Sequence, residues 1–362
     1  MIDRRGCVDM WITKLSSGQY CVRWMSDGKC KQKNFKTKTE AKKFGAALEL
    51  TPKERSTTVT VEALMRHYQQ TVTPTKRGER EEFHRINRLM RYPFAQKTLS
   101  QISSKDIEDY METRLSERTA RSGGGFVTSS TVNKERTTLS AIFTYGVKNG
   151  WLDKNPVTGT TVPAKGEARE RVASEADIEA ILAASGWDGE SVPRTKTQLV
   201  AAAFVLACRT GMRSGEMLAI EESWLDDRVI HLPREATKTD SRRDVALSKD
   251  ALRILGLILE RGDRPTIFGD LTAQQKDVLW RKIRDRAGLG AEYDSQGRLV
   301  REGLNFHDSR ATFATWAASP DPRTGAPRLD VLALARQTGH KNLAMLQRYY
   351  RATAKEIADR LG

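Results

Sequence analysis

The sequence predicts a multidomain, mainly α-helical protein with a small N-terminal three-stranded β-sheet plus a helix, a helical bundle and a mixed α+β domain. Three observations predict this fold class. Residues 8–36 alternate short Trp-, Val-, Tyr- and Ile-rich stretches with turn signals, as antiparallel strands do. Apolar residues recur at helical spacing over residues 59–157. Beyond residue 170, helical segments flank two short strand-like ones. A chain of 362 residues is long enough for two or three domains.

The N-terminal domain is predicted to span residues 1–55. Turn signals at Ser17-Gly18 and Asp27-Gly28 separate its three strands. The next segment, TKTEAKKFGAALEL, has apolar residues at helical spacing, with Thr39 as a candidate N-cap. The polar stretch TPKERSTT is a plausible linker. The unit is small, so it would bury little core of its own.

The helical bundle is predicted to span residues 56–160. Its helices are predicted from VEALMRHYQQTV, EEFHRINRLMRYPFA and SSKDIEDYMETRLSER. The clearest is STVNKERTTLSAIFTYGVKNG, which has one apolar face and ends at Gly150. A glycine-containing loop, TARSGGGFVTSS, precedes that helix. The charged stretch GTTVPAKGEARERVAS is predicted to be a flexible interdomain linker.

The mixed α+β domain is predicted to span residues 170–362. An apolar helix, TKTQLVAAAFVLACRT, runs into GMRSGEMLAI. The strand-like stretches RVIHL and RDVALS flank PREATKTDSR, which indicates a β-hairpin or a sheet insert. Further helices are predicted from SEADIEAILAAS, KDALRILGLILER, AQQKDVLWRKIRDRAG, HDSRATFATWAAS and LDVLALARQTG. A last helix, LAMLQRYYRATAKEIADRL, is predicted to break near Arg351.

The net charge of +15 is concentrated in the first part of the chain. Residues 1–55 hold 13 Lys/Arg and 6 Asp/Glu, a net charge of +7. Residues 56–165 hold 17 and 11, a net charge of +6, which leaves +2 for the remainder. Basic side chains that neutralise phosphates release counterions, so this distribution favours a polyanion as partner. Charge alone does not separate that partner from a merely soluble basic surface.

The composition also indicates where the protein works. With 38% hydrophobic and 30% charged residues, the chain is globular rather than disordered. No apolar run reaches the roughly 20 residues that span a membrane. The first residues contain no apolar signal-peptide core, so we expect a cytoplasmic protein. The four cysteines form no CxxC pair, which predicts reduced thiols rather than zinc or disulfides.

Several scattered residues suit cleavage of a phosphodiester without a metal ion. Such cleavage needs arginines for the non-bridging oxygens, a nucleophile and a proton donor. Arg213 follows the Thr210-Gly211 helix stop, and His307 and Arg310 are spaced i, i+3. Lys238 lies beside the predicted hairpin turn. Taken singly, each is more often a capping arginine, an ordinary histidine or a surface charge.

Two phenols near the end of the chain are candidate nucleophiles. His340 lies nine residues before Tyr349 and ten before Tyr350. In order along the chain, TGMRSGEM, TKTDSRRDVAL, HDSRATFAT and TGHKNLAMLQRYY resemble four motifs of the tyrosine recombinases, or phage integrase family. These are TGxRxxE, the lysine hairpin, HxLRHTFAS, and LGH with a tyrosine nine residues on. Four ordered motifs are far more specific than one. The spacing makes Tyr349 the matching nucleophile and leaves Tyr350 outside the pattern.

The resemblance implies a catalytic set, which is Arg213, Lys238, His307, Arg310, His340 and Tyr349. The family's mechanism forms a 3′-phosphotyrosine and frees a 5′-hydroxyl, without ATP, metal ion or cofactor. Glu216 is expected to be structural and to brace an arginine. Three positions depart from the family pattern, where Leu, His and Leu are usual, and these are Ser309, Ala311 and Thr338.

The catalytic roles are carried over residue by residue. Tyr349 is expected to attack the phosphate, and Arg213 and Arg310 to stabilise the transition state. His307 is the expected base. His340 is expected to hydrogen-bond the phosphate or orient its neighbours.

Lys238 is expected to protonate the leaving 5′-oxygen. The resemblance also names the domains. Residues 1–55 would bind arm-type DNA, residues 56–160 would be the SAM-like core-binding domain, and residues 170–362 the catalytic domain.

The implied partners are double-stranded DNA attachment sites of core type and arm type, and three further copies of the chain in a homotetrameric synapse. An excisionase and a host DNA-bending protein are further expected partners. The setting would be the cytoplasm of a bacterial host, with integration and excision of a phage or mobile element as the role. The final segment, ATAKEIADRLG, would pack either on a neighbouring protomer or on its own domain. Two alternatives remain open: a type IB topoisomerase that only relaxes DNA, and a DNA-binding regulator without activity.

Overall fold

The protein is described by a computed structural model, which covers residues 10–26, 29–49, 59–119, 125–164, 169–237, 241–262, 264–269, 271–296, 298–350 and 358. The chain divides into two compact units, residues 1–167 and residues 168–362. Unit 1 contains the predicted sheet and the helical bundle, and unit 2 contains the mixed α+β domain. The finer division of unit 1 into residues 1–55 and 56–160 stays a prediction.

The N-terminal part of unit 1 is a three-stranded antiparallel sheet followed by a helix, as the sequence predicts. The elements are β1 Met10–Lys14, β2 Tyr20–Ser26, β3 Lys29–Phe35 and α1 Lys38–Glu49, and the strand order is β1-β2-β3. The expected N-cap is wrong by two positions. The hydroxyl of Thr37, not Thr39, accepts the Glu40 N–H at 3.2 Å, because α1 begins at residue 38.

The two faces of this sheet differ in chemistry. On one face the Trp24 ring packs edge-on against Phe44 of α1, with ring centroids 5.4 Å apart. On the other face Trp11 lies opposite Arg23, and Arg23 lies opposite Gln32. The Arg23 guanidinium donates to the Gln32 side-chain oxygen at 3.2 Å. This second face presents an exposed indole beside an oriented guanidinium.

The described residues in the rest of unit 1 contain four bundle helices, and these are α2 Val61–Thr71, α3 Glu79–Leu89, α4 Ser104–Ser116 and α5 Ser129–Lys148. Each matches a segment predicted from apolar periodicity. Ser103 caps α4 through a capping box with Asp106, and Thr128 caps α5. Residues 120–124 of the predicted loop before α5 lie outside the described part of the chain.

A buried ion pair crosses the bundle. The carboxylate of Glu135, on α5 and 1% exposed, accepts hydrogen bonds from Tyr110 at 2.7 Å and from Nε of Arg114 at 3.1 Å. Arg88 adds a third contact at 3.3 Å. A buried carboxylate persists when it is paired and hydrogen-bonded in this way. Glu135 therefore joins α3, α4 and α5 through their side chains.

Unit 2 is built around one apolar helix. Its helices are α6 Glu175–Ser185, α7 Lys196–Thr210, α8 Ser214–Leu218, α9 Lys249–Leu259, α10 Ala273–Arg286, α11 Asp308–Ala318 and α12 Val331–Thr338. α7 is buried along nearly its whole length and packs against α6, α9, α10 and α11. At 15 residues α7 is shorter than a bilayer requires, and no other helix in the described ranges suits a membrane either.

The strands of unit 2 form two small sheets. In the first, β4 Leu225–Asp226, β5 Val229–Leu232 and β6 Arg243–Ala246 pair antiparallel in that order, which places the predicted strands as expected. The second is a hairpin of β7 Glu292–Tyr293 and β8 Leu299–Arg301, which the sequence did not predict. These two strands have mostly exposed side chains, so no buried face imposes an apolar alternation on their sequence.

The helix predicted from Leu343 onward is wrong in its first part. Residues Leu343–Met345 and Gln347–Tyr349 form two 3₁₀ turns instead of an α-helix. The large side chains at 343, 346 and 349 are three residues apart, which is the period of a 3₁₀ helix. Leu346 is completely buried against Phe313 and its neighbours, so the turns are anchored at that point. The predicted helix beyond Tyr350, including the expected break at Arg351, lies outside the described residues except for Ala358.

Candidate active site

Arg213 lies where two helices of unit 2 meet. α7 ends at Gly211, whose φ of 68° is left-handed, and the chain then turns so that Arg213 is the N-cap of α8. The Arg213 guanidinium donates to Glu216 at 2.8 Å and to the carbonyl of Gly339 at 3.0 Å. Gly339 is the left-handed residue that ends α12, with φ of 69°. The side chain of Arg213 is therefore held between two segments that are distant in sequence.

Glu216 holds a second arginine besides Arg213. Arg243, on β6, makes two parallel hydrogen bonds to the Glu216 carboxylate, both of 2.9 Å. Burial alone would raise the pKa of Glu216, but the hydrogen bonds and charges of Arg243 and Arg213 lower it below its ordinary value. Glu216 thus braces two arginines, and it is 2% exposed.

Arg310 lies in the first turn of α11 and is 5% exposed. Its guanidinium donates to the carbonyl of Gly211 at 2.7 Å, and Nη2 lies 3.3 Å from the His340 ring nitrogens. Burial, together with the charges of Arg213 and Arg243, lowers the pKa of Arg310 to about 9. Arg213, Arg243 and Arg310, here called the arginine cluster, leave a surplus of positive charge around Glu216. Such a buried surplus suits a bound anion.

His340 follows the left-handed end of α12 and faces the arginine cluster. Its Nδ1 lies 2.7 Å from the hydroxyl of Thr338. Burial and the charge of Arg310, followed by Arg213 and Arg243, lower the pKa of His340 to about 4. The imidazole is therefore neutral at physiological pH in the free protein.

We expect a proton titration of the free protein to give His340 a midpoint near pH 4, well below its ordinary 6.5. The unfolded chain takes up this proton first, so His340 contributes a loss of stability as pH falls from about 6.5 towards 4. His231 is the internal control, because its hydrogen bond to the Asp244 carboxylate raises the pKa of His231. NMR titration midpoints that were both above 6.5, or both below it, would contradict this assignment.

Gln337 links three backbone segments of the site. Its Nε2 donates to the carbonyls of Thr210 and Ala246, each at 3.0 Å. Its Oε1 accepts the N–H of Ala246, also at 3.0 Å. The side chain is 8% exposed. This Gln337 clamp joins the end of α7, the strand β6 and the end of α12. Arg243 lies on β6, and Arg213 and His340 follow the ends of α7 and α12.

Tyr349 ends the second 3₁₀ turn and is half-buried. The Arg348 guanidinium lies over its ring, 5.3 Å from the centroid, and also donates to the carbonyl of Arg169. The negative form of Tyr349 is among the charges that act on the pKa of Arg310, so the two side chains are electrostatic neighbours. A cavity of about 220 Å³ adjoins the phenol and is lined by Glu170, Val172, Ala311, Thr315, Arg348 and Tyr349.

Tyr350 has a different environment from Tyr349. Its hydroxyl donates to the carbonyl of Leu329 at 2.8 Å. Burial, with the negative charge of Asp330, raises the pKa of Tyr350 to about 12. A phenol with this environment is harder to ionise and already occupied by a hydrogen bond. Tyr350 therefore serves packing.

For two of the six sequence-predicted residues, the described part of the chain shows no place in this cluster. His307 immediately precedes α11 and is exposed, although its charge reaches His340. Lys238 lies outside the described residues, as do residues 239 and 240. The flanking chain is ordered by the Thr237 hydroxyl, which accepts the N–H of Ser241 at 3.0 Å. The described residues thus bring together Arg213, Arg310 and His340, with Tyr349 beside them.

Sequence reasoning missed Arg243 and Gln337. Arg243 alternates with Val245 and Leu247, both of which are buried, so period-two counting along RRDVAL would have placed it on the inward face. An arginine on an inward face requires a buried partner. No comparable signal marks Gln337, because its three backbone partners are fixed only by the tertiary fold.

Comparisons with known proteins agree with this geometry. The family model described as the phage integrase family matches residues 172–356. A Haemophilus influenzae protein named "Putative integrase/recombinase" is 33% identical over 305 residues, 82% of this chain and 88% of that protein. A shufflon-specific DNA recombinase of Escherichia coli is 30% identical over 313 residues, 86% of this chain and 73% of that protein.

The fold is also similar to that of lambda integrase. A lambda integrase dimer bound to a COC′ core site superimposes with a TM-score of 0.62 and 19% identity, covering 94% of each chain. A lambda integrase tetramer bound to a Holliday junction gives a TM-score of 0.62 and 20% identity, covering 93% of this chain and 94% of that one. The chain therefore belongs to the phage integrase family, as a site-specific tyrosine recombinase, and it has the fold of lambda integrase.

Proposed function

We propose that this recombinase cleaves one strand of duplex DNA at an attachment site with Tyr349, forming a 3′-phosphotyrosine. One observation carries the proposal: the guanidinium of Arg310 lies beside Arg213 and Arg243, and burial together with their charges lowers its pKa to about 9. Glu216 supplies one negative charge against the three guanidinium groups, and a bound phosphate would supply another. Phosphodiester transition states concentrate negative charge on the non-bridging oxygens, so the cluster favours the transition state most.

In the cleavage step the Tyr349 oxygen bonds to phosphorus, and the bond from phosphorus to the 5′-oxygen breaks. Arg213 and Arg310 donate to the non-bridging oxygens, bidentate where the geometry allows. A phenol has a pKa of about 10, so its proton must leave for attack to be fast. His307 takes this proton, directly or through a water molecule.

The leaving 5′-oxygen receives a proton from Lys238. His340 hydrogen-bonds the phosphate. In the second step the 5′-hydroxyl of a partner strand attacks phosphorus, and the bond to Tyr349 breaks with return of the phenol proton. The phosphoester count is conserved, so no ATP is needed.

Adduct formation on a nicked suicide substrate tests the proposal. With an attachment-site duplex whose cleaved fragment diffuses away, we expect a covalent protein–DNA species on a denaturing gel. It should form in EDTA, because the arginines supply the charge stabilisation that a metal nuclease takes from its ion. Cleavage that strictly required magnesium would count against the mechanism.

The same preparation separates the remaining alternatives. Strand exchange between two attachment sites indicates a recombinase. Relaxation of supercoils without site preference would indicate a type IB topoisomerase instead, and DNA binding without any adduct would indicate a regulator that has lost activity.

The biological setting is proposed from the relatives. By likeness to lambda integrase, four protomers would assemble on two core sites, with arm-type sites, an excisionase and a host DNA-bending protein as further partners. Integration and excision of a phage or mobile element in the cytoplasm of a bacterial host is the favoured role. The likeness to a shufflon-specific DNA recombinase supports recombination at shufflon sites as the second candidate. Recombination assays with attachment sites and with shufflon sites distinguish the two.

The N-terminal sheet is proposed to bind a second class of DNA site. Residues 1–55 carry +7, and one sheet face presents Trp11 and the oriented Arg23 guanidinium. We expect a chain beginning at Ser56 to cleave a core site but to fail in full integration. Its log affinity for full-length attachment DNA should fall less steeply with log salt, because fewer phosphates are contacted. Footprints of both proteins on the same DNA provide the measurement.

A full-length variant guards against a folding artefact. Arg23→Ala should weaken protection of the arm-type sequence and leave core-site cleavage intact. Arg66→Ala, which removes one exposed positive charge from α2, is the matched control and should protect both sequences as wild type does. Equal footprints and affinities for the wild-type chain and the shortened chain would sink the two-site proposal.

A further inference from the structure

Two threonine–glycine pairs end two helices of unit 2 in the same way. Thr210 ends α7 and Thr338 ends α12, and each precedes a left-handed glycine. Each hydroxyl donates to the carbonyl four residues earlier, at 2.8 Å to Leu206 and at 2.6 Å to Leu334. Both threonines are fully buried. They differ in the second contact of the hydroxyl: the Thr210 oxygen accepts the N–H of Met212 at 3.5 Å, whereas the Thr338 oxygen lies 2.7 Å from Nδ1 of His340.

This contact determines which ring nitrogen of His340 carries the proton. A hydroxyl has one proton to donate, and the short bond to Leu334 uses it. The Thr338 oxygen can then only accept, so Nδ1 of His340 is the donor. In the neutral ring the lone pair is consequently on Nε2, where Nη2 of Arg310 lies 3.3 Å away and donates to it. The same guanidinium nitrogen is 3.3 Å from Nδ1, which has no lone pair to offer in this tautomer.

We propose that Thr338 is a positioning residue that holds His340 in the Nδ1–H tautomer. Nε2 is then the ring atom that takes up a proton from solvent when the negatively charged DNA phosphate binds, and as Nε2–H it donates to a phosphate oxygen. Without the hydroxyl, the ring would be free to rotate and to place the proton on either nitrogen. Thr338 stands where the family pattern has leucine, which cannot make this contact. The consequence for cleavage rests on the proposed function, whereas the tautomer does not.

The tautomer is measured on the free protein by ¹⁵N NMR of labelled histidines at neutral pH. Protonated and unprotonated ring nitrogens resonate far apart, and His340→Gln identifies the signal. We expect Nδ1 of His340 to be protonated and Nε2 to be unprotonated. A wild-type ring with the proton on Nε2, or an even mixture, would overturn the proposal whether or not the protein cuts DNA.

Three variants separate positioning from ordinary packing. Thr338→Val removes the hydroxyl with little change of shape and should shift the His340 spectrum, and Thr338→Ser should restore it. Thr210→Val is the matched control, because it loses an equivalent buried hydroxyl and helix bond but no contact with histidine. It should lower the melting temperature about as much as Thr338→Val, while the His340 signals stay unchanged.

Single-turnover cleavage at saturating DNA connects the tautomer to the reaction. We expect Thr338→Val to cut roughly tenfold more slowly, as when a hydrogen bond that orients a catalytic histidine is lost. Its Kd for DNA should stay within twofold, and Thr338→Ser should recover the rate. If Thr338→Val keeps both the wild-type spectrum and the wild-type rate, the proposal fails. If Thr338→Val does not fold, the wild-type and Thr338→Ser spectra still decide the tautomer. A wild-type chain that forms no adduct refutes the proposed function and leaves the tautomer result standing.

Discussion

Replacing Tyr349 by phenylalanine is expected to abolish the covalent protein–DNA adduct on a suicide substrate, because the substitution removes the attacking oxygen. The phenol belongs to a 3₁₀ turn anchored by the buried Leu346, so the ring should keep its place. DNA affinity should change little. The measurement is a denaturing gel of adduct against time, with mass spectrometry of the peptide attached to DNA in the wild-type reaction.

Tyr350→Phe is the matched control for this prediction. The Tyr350 hydroxyl donates to the Leu329 carbonyl, so its loss should cost about 1 kcal/mol of stability. The adduct should still form at close to the wild-type rate. If mass spectrometry finds the DNA attached to Tyr350, or if Tyr349→Phe still forms an adduct, the nucleophile is wrongly assigned.

Arg310→Lys is expected to slow cleavage by about 10²–10³-fold, the usual effect of losing a donor to the developing charge. Lysine keeps the positive charge but has no planar fork. It cannot donate to the Gly211 carbonyl and still present a second nitrogen towards His340, as Arg310 does. Single-turnover rates at saturating DNA, with Kd measured separately, isolate the effect on chemistry.

Arg253→Lys provides the comparison for the arginine site. Arg253 also donates to a glycine carbonyl, that of Gly189 at 2.6 Å, but it lies on α9 and pairs with Asp250. The same substitution there should leave the cleavage rate within twofold. A cleavage rate for Arg310→Lys equal to that of Arg253→Lys would mean that the buried guanidinium has no part in the reaction.

The helices were the part of the fold that the sequence predicted best, because local signals define them. α4 and α6 begin with serine capping boxes, and α7 ends at a glycine that must adopt positive φ. The errors occur where tertiary contacts override local patterns. The turns before Tyr349 follow the burial of Leu346, and the β7–β8 hairpin has no apolar face to reveal it.

The sequence predicted the residues of the site but not the side chains that hold them in place. The motif order singled out Arg213, Arg310, His340 and Tyr349, and the first three converge in the structure. That Glu216 would hold Arg243 as well as Arg213 did not follow from spacing, since β6 and α8 meet only in three dimensions. The partner of Thr338 was hidden for a simpler reason. A threonine in a helix can bond its own backbone or a neighbour, and only the fold places His340 within reach.

The Gln337 clamp also determines how late in synthesis of the chain the site can assemble. It ties residue 337 to Thr210 and Ala246, partners that are 127 and 91 positions away in the chain. Contacts of such long range form late in folding, because the intervening chain must be ordered first. A ribosome must therefore pass α12 and Tyr349 before the arginine cluster acquires His340 and the neighbouring phenol. Prematurely terminated translation products would carry Arg213, Arg243 and Arg310 without a complete site.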